Sequence, residues 1–231
     1  MKIVTRTQMR AELMAARDPS VAGYMEKVVS DTAYPMLYVR MDPVRRIAKR
    51  ASKSYALLLT EEGWESFEEV LCVGLAIAYA KEPLQLRLEA LQWLLPHLDS
   101  WALTDSIFPT LRFLPEERDI LFAFAQACLQ SEAAYTVRSG IVILLRFFLQ
   151  EQACPHIAKM LTDLRDDRYY VQMAVAWCFA EMAVQDFNTV EKVLKSGELD
   201  RFIHNKTIQK IRESYRIPVE MKEMARGLRR E

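Results

Sequence analysis

Four side chains of the types that act together in chemistry recur along the sequence. In "SWALTD", residues 100–105, Trp101 stands four positions before Asp105. Four positions make about one helical turn, so on a helix the indole and the carboxylate share a face. Arg138 in "AYTVRSGI" and Trp177 in "MAVAWCFA" follow at spacings of 37 and 39 positions. A carboxylate stabilises a growing positive charge, an indole face attracts cationic or electron-poor groups, and a guanidinium grips an oxyanion. Each residue also has an ordinary explanation. Both tryptophans lie among apolar neighbours and fit a core. Arg138 fits a rim position where its stem covers the core. Asp105 fits the cap of a short helix starting at Ser106 or Ile107, with Pro109 near its first turn. A buried carboxylate without a partner is costly, so Asp105 needs a cap role, a cation or water.

The elements that must position these residues read as helices. The 231 residues are 51% apolar and 27% charged, the balance of a soluble globular protein. Only 6 glycines occur, against 9 prolines, which favours helices with short connections over a β-rich fold. Neither G-x-G-x-x-G nor G-x-x-x-x-G-K-[ST] is present, which argues against a glycine-loop nucleotide site. Apolar residues recur at three and four almost everywhere. Residues 3–17 and 20–30 predict two opening helices, and residues 43–59 a third helical stretch entered through Asp42-Pro43. Thr60 then predicts the cap of an acidic first turn, "EEGWESFEE", on a helix reaching Lys81.

From Pro83 a rhythm sets in. "PLQLRLEALQWLLPHL" precedes "SWALTDSIFPTLRFL", "PEERDILFAFAQACLQ" precedes "SEAAYTVRSGIVILLRFFLQ", and "CPHIAKMLTDLRDD" precedes "RYYVQMAVAWCFAEMAVQ". The first helix of each pair opens at or near Pro83, Pro115 or Pro155, which are 32 and 40 positions apart. Paired helices at that period predict an all-α, HEAT-like solenoid of antiparallel helix pairs with a concave binding face. One domain over residues 1–231 is expected: N-terminal helices over 1–59, helix pairs over 60–217, and a basic closing helix over 218–231. Second helices of successive pairs line one side of such a stack, so Trp101, Arg138 and Trp177 would converge there.

Other signals are plain. Cys72, Cys128, Cys154 and Cys178 are isolated in or beside apolar runs and predict buried, reduced thiols. His97, His156 and His204 are scattered and lend no support to a zinc site. No signal peptide and no membrane span is expected, and a cytoplasmic protein follows. The formal net charge is zero, so any polyanion affinity rests on how the charge is distributed.

"SWALTDSIFP", "AAYTVRSGIVIL", "YYVQMAVAWCFAEMA" and the closing "NKTIQKIRESYRI" resemble the AlkD-like DNA alkylation repair glycosylases. The likeness runs from about residue 20 onward, is strongest over 100–217 and is weak over 55–95. The resemblance implies HEAT-like repeats that hold duplex DNA in a concave face. It implies hydrolysis of the N-glycosidic bond of N7- and N3-alkylated purines; that chemistry needs no metal or other cofactor, and action as a monomer is expected. Residue by residue, Asp105 matches the catalytic aspartate, Trp101 the tryptophan one turn before it, Arg138 the nearby arginine and Trp177 the second aromatic. Tyr24 matches an N-terminal tyrosine near the site less securely. The family further suggests chemistry at the sugar and backbone while the lesion stays largely stacked, rather than the usual flipping of the base into a pocket.

Charge distribution adds to this. Residues 40–53 hold six Lys/Arg and one Asp, residues 200–231 nine Lys/Arg and five Asp/Glu. Arg45, Arg46, Lys206 and Lys210 are the DNA-contact candidates in these runs. Residues 60–69 hold five Glu and no base, which suits an acidic outer face. A rival reading from another class remains open: a non-catalytic helical-repeat binding module, because fold alone does not fix function.

Overall fold

The computed structural model describes residues 3–60 and 63–231; Glu61 and Glu62 of the acidic run lie outside the described residues. Regular structure among the described residues is helical throughout, with no strand. The chain divides into two compact units, Met1–Phe124 and Ala125–Glu231.

The first unit contains α1 (Arg6–Ala15), α2 (Ala22–Val28), α3 (Met41–Ala51), the short α4 (Tyr55–Leu58), α5 (Phe67–Tyr79), α6 (Leu84–Leu94), α7 (Trp101–Ile107) and the start of α8 (Arg118–Leu129). Its centre is α5, buried without a break from Phe67 to Ala78. A helix that is apolar all round must be covered all round. Helices α1, α3, α4, α6 and α7 all pack on it. Helix α3 has the opposite character. Val44, Ile47, Ala48 and Ala51 form its buried stripe at helical spacing, and Arg45, Arg46, Lys49 and Arg50 face solvent. Helix α2 buries no residue.

The acidic run is used differently from expectation. Ser66, not Thr60, caps α5 and accepts the Glu69 N–H at 3.2 Å. The Thr60 hydroxyl instead donates to the Leu57 carbonyl at 2.9 Å and closes the preceding helix. Glu68 and Glu69 are not on an outer face: both are buried. Glu68 accepts the N–H groups of Leu37 and Val39 at 2.9 and 3.0 Å, tying down the extended segment before α3. Glu69 accepts from Arg6 and Arg10, each at 2.6 Å, and from the Glu65 N–H. Buried carboxylates persist only when their charge is matched in this way.

The second unit contains the rest of α8, then α9 (Ala134–Phe147), α10 (Cys154–Asp163), α11 (Tyr169–Gln185), α12 (Phe187–Ser196), α13 (Arg201–Glu213) and α14 (Val219–Gly227). Helices α9, α11 and α13 lie in sequence against one another, α10 packs with α12, and α11 touches both of these. Pro155 sits in the first turn of α10, as expected, and Pro83 caps α6 from outside. The chain end is strapped to α13. Asn205 and Arg230 exchange two hydrogen bonds, at 2.9 and 3.0 Å, and the His204 ring meets the Leu228 carbonyl at 2.7 Å.

The four cysteines are buried, and none is in a disulfide. Burial pushes the Cys72 and Cys128 thiols up to about 12 and raises Cys178 as well. A thiol so raised is protonated at neutral pH and is not a nucleophile.

Candidate functional site

Helix α7 starts at Trp101, so Asp105 lies inside it as the fifth residue and does not cap a helix at Ser106. Ser100 is the cap: its hydroxyl oxygen accepts the Ala102 N–H at 3.2 Å. Pro109 belongs to the 3-10 turn Phe108–Thr110 that follows. Trp101 and Asp105 are both half-buried on one side of α7, while Leu103, Thr104 and Ile107 are buried on the other. The Thr104 hydroxyl lies 2.9 Å from both the Trp101 carbonyl and one Asp105 oxygen, so its single proton orients the carboxylate or the turn.

A segment far away in sequence fixes the start of α7. Asp31 accepts the Ser100 hydroxyl at 2.9 Å and the Trp101 N–H at 3.0 Å. Asp99 accepts the Thr32 hydroxyl at 2.9 Å and the Ala33 N–H at 2.7 Å, and the Tyr34 hydroxyl donates to the His97 carbonyl at 3.1 Å. A carboxylate at a helix start satisfies backbone donors that the helix leaves open. From below, Gly74 on α5 lets α7 settle close. A Cβ there would stand 2.3 Å from the Ile107 side chain.

In the second unit, Arg138 is in the body of α9 and only 5% exposed, not a rim residue. Its guanidinium donates to the Tyr170 carbonyl at 2.7 Å, in the first turn of α11. Two residues further along α9, Gly140 permits close approach to α8, where a Cβ would stand 2.7 Å from the Ala125 carbonyl oxygen. Trp177 is half-buried on α11, two turns past Tyr170, despite its apolar neighbours in sequence. Its indole N–H donates to Glu181 at 3.4 Å, and Glu181 pairs with Arg216. The indole plane is therefore held at its edge by an ion pair.

The remaining candidates are more dispersed. Tyr24 on α2 is 71% exposed. Arg45 and Arg46 are exposed on α3. Lys206 on α13 is half-buried, bonded to Gln209 at 2.8 Å with its ammonium 5.6 Å over the Phe202 ring, and Lys210 is half-buried one turn on. Asp31, Asp99 and Glu181, which orient the tryptophans and α7, escaped the sequence reading. Only Glu181, one turn after Trp177, left a local signal. Among the described residues no group of three His, Cys, Asp or Glu side chains is arranged to hold a metal. Nor is any helix among them long and apolar enough to cross a membrane.

No curated protein matches the chain. A family model described as DNA alkylation repair enzyme matches residues 9–226, nearly the full length and all of the helices that carry the site candidates. The chain belongs to the DNA alkylation repair enzyme family.

Proposed function

We propose that this protein is a monofunctional DNA glycosylase that hydrolyses the N-glycosidic bond of cationic N7- and N3-alkylated purines in duplex DNA. The observation that carries the proposal is the state of α7. Its cap is supplied by Ser100 and Asp31, which leaves Asp105 in mid-helix, partly exposed, beside a partly exposed Trp101. An alkylpurine of this kind already carries a positive charge on its ring. When the C1′–N bond breaks, the bonding pair goes to the base, which leaves neutral, and positive charge grows on the deoxyribose. The Asp105 carboxylate stabilises that oxocarbenium-like charge and orients a water. Water adds to C1′, its proton passes to Asp105 and on to solvent, and an abasic site and a free base result.

In this proposal Trp101 and Trp177 present indole faces to the sugar and the charged nucleotide. Arg138, pre-oriented by Tyr170, contacts a backbone phosphate, a charge-assisted bond. What joins Arg138 and Trp177 to the pair on α7 is the repeat spacing of 37 and 39 residues within a HEAT-like helical stack over residues 60–217. Tyr24, Arg45 and Arg46 in the first unit and Lys206 and Lys210 in the second are proposed DNA contacts.

The test is release of free base from duplex DNA carrying N7-methylguanine. Wild type should release it, and Asp105→Asn should lose roughly 100-fold or more in rate, the size expected for one electrostatic stabiliser. No release by wild type at low salt would overturn the proposal in favour of a binding module. An Asp105→Asn variant as fast as wild type would remove Asp105 from the chemistry.

A further inference from the structure

The hydroxyl of Thr104 stands where its proton can go to either of two groups. It is fully buried on α7, with Oγ1 2.9 Å from the Trp101 carbonyl oxygen and 2.9 Å from Oδ1 of Asp105. Ser139 and Thr162, also buried on helices, have simpler partners. Ser139 donates to the Tyr135 carbonyl at 2.7 Å and Thr162 to the Ala158 carbonyl at 2.8 Å, each four residues back. Such back-bonding is the common habit of a hydroxyl inside a helix. Thr104 reaches instead to a carbonyl three residues back and to the carboxylate of the next residue.

A helix start leaves four N–H groups open, and such groups are ready donors to a carboxylate. On α7 all four are engaged. Asp31 accepts the Trp101 N–H at 3.0 Å, and the Ser100 hydroxyl oxygen accepts the Ala102 N–H at 3.2 Å. The Ser100 carbonyl accepts the N–H groups of Leu103 and Thr104 at 3.2 and 3.4 Å. What α7 itself brings to the Asp105 carboxylate is therefore the Thr104 hydroxyl.

We infer that Thr104 is a positioning residue, whose hydroxyl donates to Asp105 and holds the carboxylate in one orientation for the reaction. Charge decides between the two acceptors. A hydrogen bond to an ionised carboxylate is roughly twice as strong as one to a neutral carbonyl. The Trp101 carbonyl also has the amide four residues on as its partner in the helical ladder. The donating oxygen is itself fixed, because β-branching restricts the Thr104 side chain and burial surrounds it. Asp105 is half-buried, and a side chain at a wet edge changes rotamer within nanoseconds unless something holds it. Being buried, Thr104 does not meet the substrate and acts through Asp105. The inference rests on the reading of Asp105 as the group that stabilises the charge on the sugar.

The experiment compares Thr104→Val, which keeps the shape and removes the hydroxyl, with Thr104→Ser, which keeps the hydroxyl. Two readouts are taken on the full chain. The first needs no DNA: three-bond NMR couplings of the labelled Asp105 side chain report its χ1 rotamer. Wild type and Thr104→Ser should hold one rotamer, and Thr104→Val should average over several. The second is single-turnover base release from duplex carrying N7-methylguanine, with affinity for an undamaged duplex measured alongside. Thr104→Val should slow release by ~10-fold or more at unchanged affinity, the mark of lost orientation rather than lost binding. Thr104→Ser should keep most of the wild-type rate. Averaged couplings in wild type would overturn the inference, and so would a Thr104→Val protein with the wild-type rotamer or the wild-type rate. A Thr104→Ser protein as slow as Thr104→Val would overturn it too. If Thr104→Val lowers Tm but leaves the Asp105 rotamer fixed, the hydroxyl serves the turn and the inference falls. The couplings decide whether Thr104 holds the carboxylate, and the Asp105→Asn rate decides whether that carboxylate takes part, so the two failures are distinguishable.

Discussion

Gly140→Ala is the sharpest test of how α9 holds Arg138. The added Cβ would stand 2.7 Å from the Ala125 carbonyl oxygen and 2.9 Å from the Cys128 Cβ. The first is backbone and cannot swing away. Reaching ordinary contact requires α9 to back off α8 by about 0.7 Å, and overpacking of this kind costs roughly 1–3 kcal/mol. Removing a mid-helix glycine returns about 1 kcal/mol of helix propensity. A clash with backbone falls in the upper part of that range, about 2–3 kcal/mol, so the net expectation is destabilisation by about 1–2 kcal/mol, which for a chain of this size lowers Tm by roughly 2–8 °C. The same displacement disturbs the geometry of the 2.7 Å bond from Arg138 to the Tyr170 carbonyl. Misplacement on the scale of 1 Å can cost about 100-fold in rate, so DNA processing should fall by more than the stability loss explains. Thermal unfolding and base release together measure both effects. Gly23→Ala is the control, because nothing lies within 4 Å of the Cβ it would add; it should leave Tm unchanged or higher. A Gly140→Ala protein as stable as wild type would refute the close-approach argument.

Asp31→Ala removes the acceptor for the Ser100 hydroxyl and the Trp101 N–H. It should cost about 1–2 kcal/mol as a lost helix-start carboxylate and slow base release more than the conservative Asp31→Asn. Equal rates for Asp31→Ala and wild type would show that α7 needs no such anchor. His204 provides a pH dependence. Burial holds its pKa below the usual histidine value, and one ring nitrogen, Nδ1, is buried without a partner. A histidine whose folded pKa is depressed contributes stability that is present above about 6.5 and is lost as pH falls through its folded value. Hydrogen exchange at residues 228–230 should therefore accelerate relative to α13 on acidification. His204→Gln should flatten that response, and an unchanged profile would discount the histidine.

The helical character of the chain was readable because its apolar spacing is nearly uninterrupted, and the repeat prolines marked helix starts. Helix starts without proline were harder. Thr60 and Ser66 are both competent caps, and only packing of the α5 core selects Ser66. The same packing turned Glu68 and Glu69 inward, where Arg6, Arg10 and three backbone amides receive them; an isolated acidic run reads as surface. Asp105 was ambiguous because a cap and a mid-helix carboxylate look alike until Ser100 is known to be the cap. Asp31 could not have been found. Its role depends on a contact spanning 69 residues, for which local pattern has no signature.

The pairing of Arg6 with Glu69 also sets an order of events during synthesis. Arg6 leaves the ribosome 63 residues ahead of its partner. At roughly 5–20 residues per second, α1 waits about 3–13 s before the carboxylate that matches it emerges. During that interval its apolar stripe of Met9 and Leu13 has no α5 to cover it. Helix α1 is thus made well before the partner that matches its buried arginine, and the nascent chain passes through a stage in which Arg6 has no carboxylate to receive it.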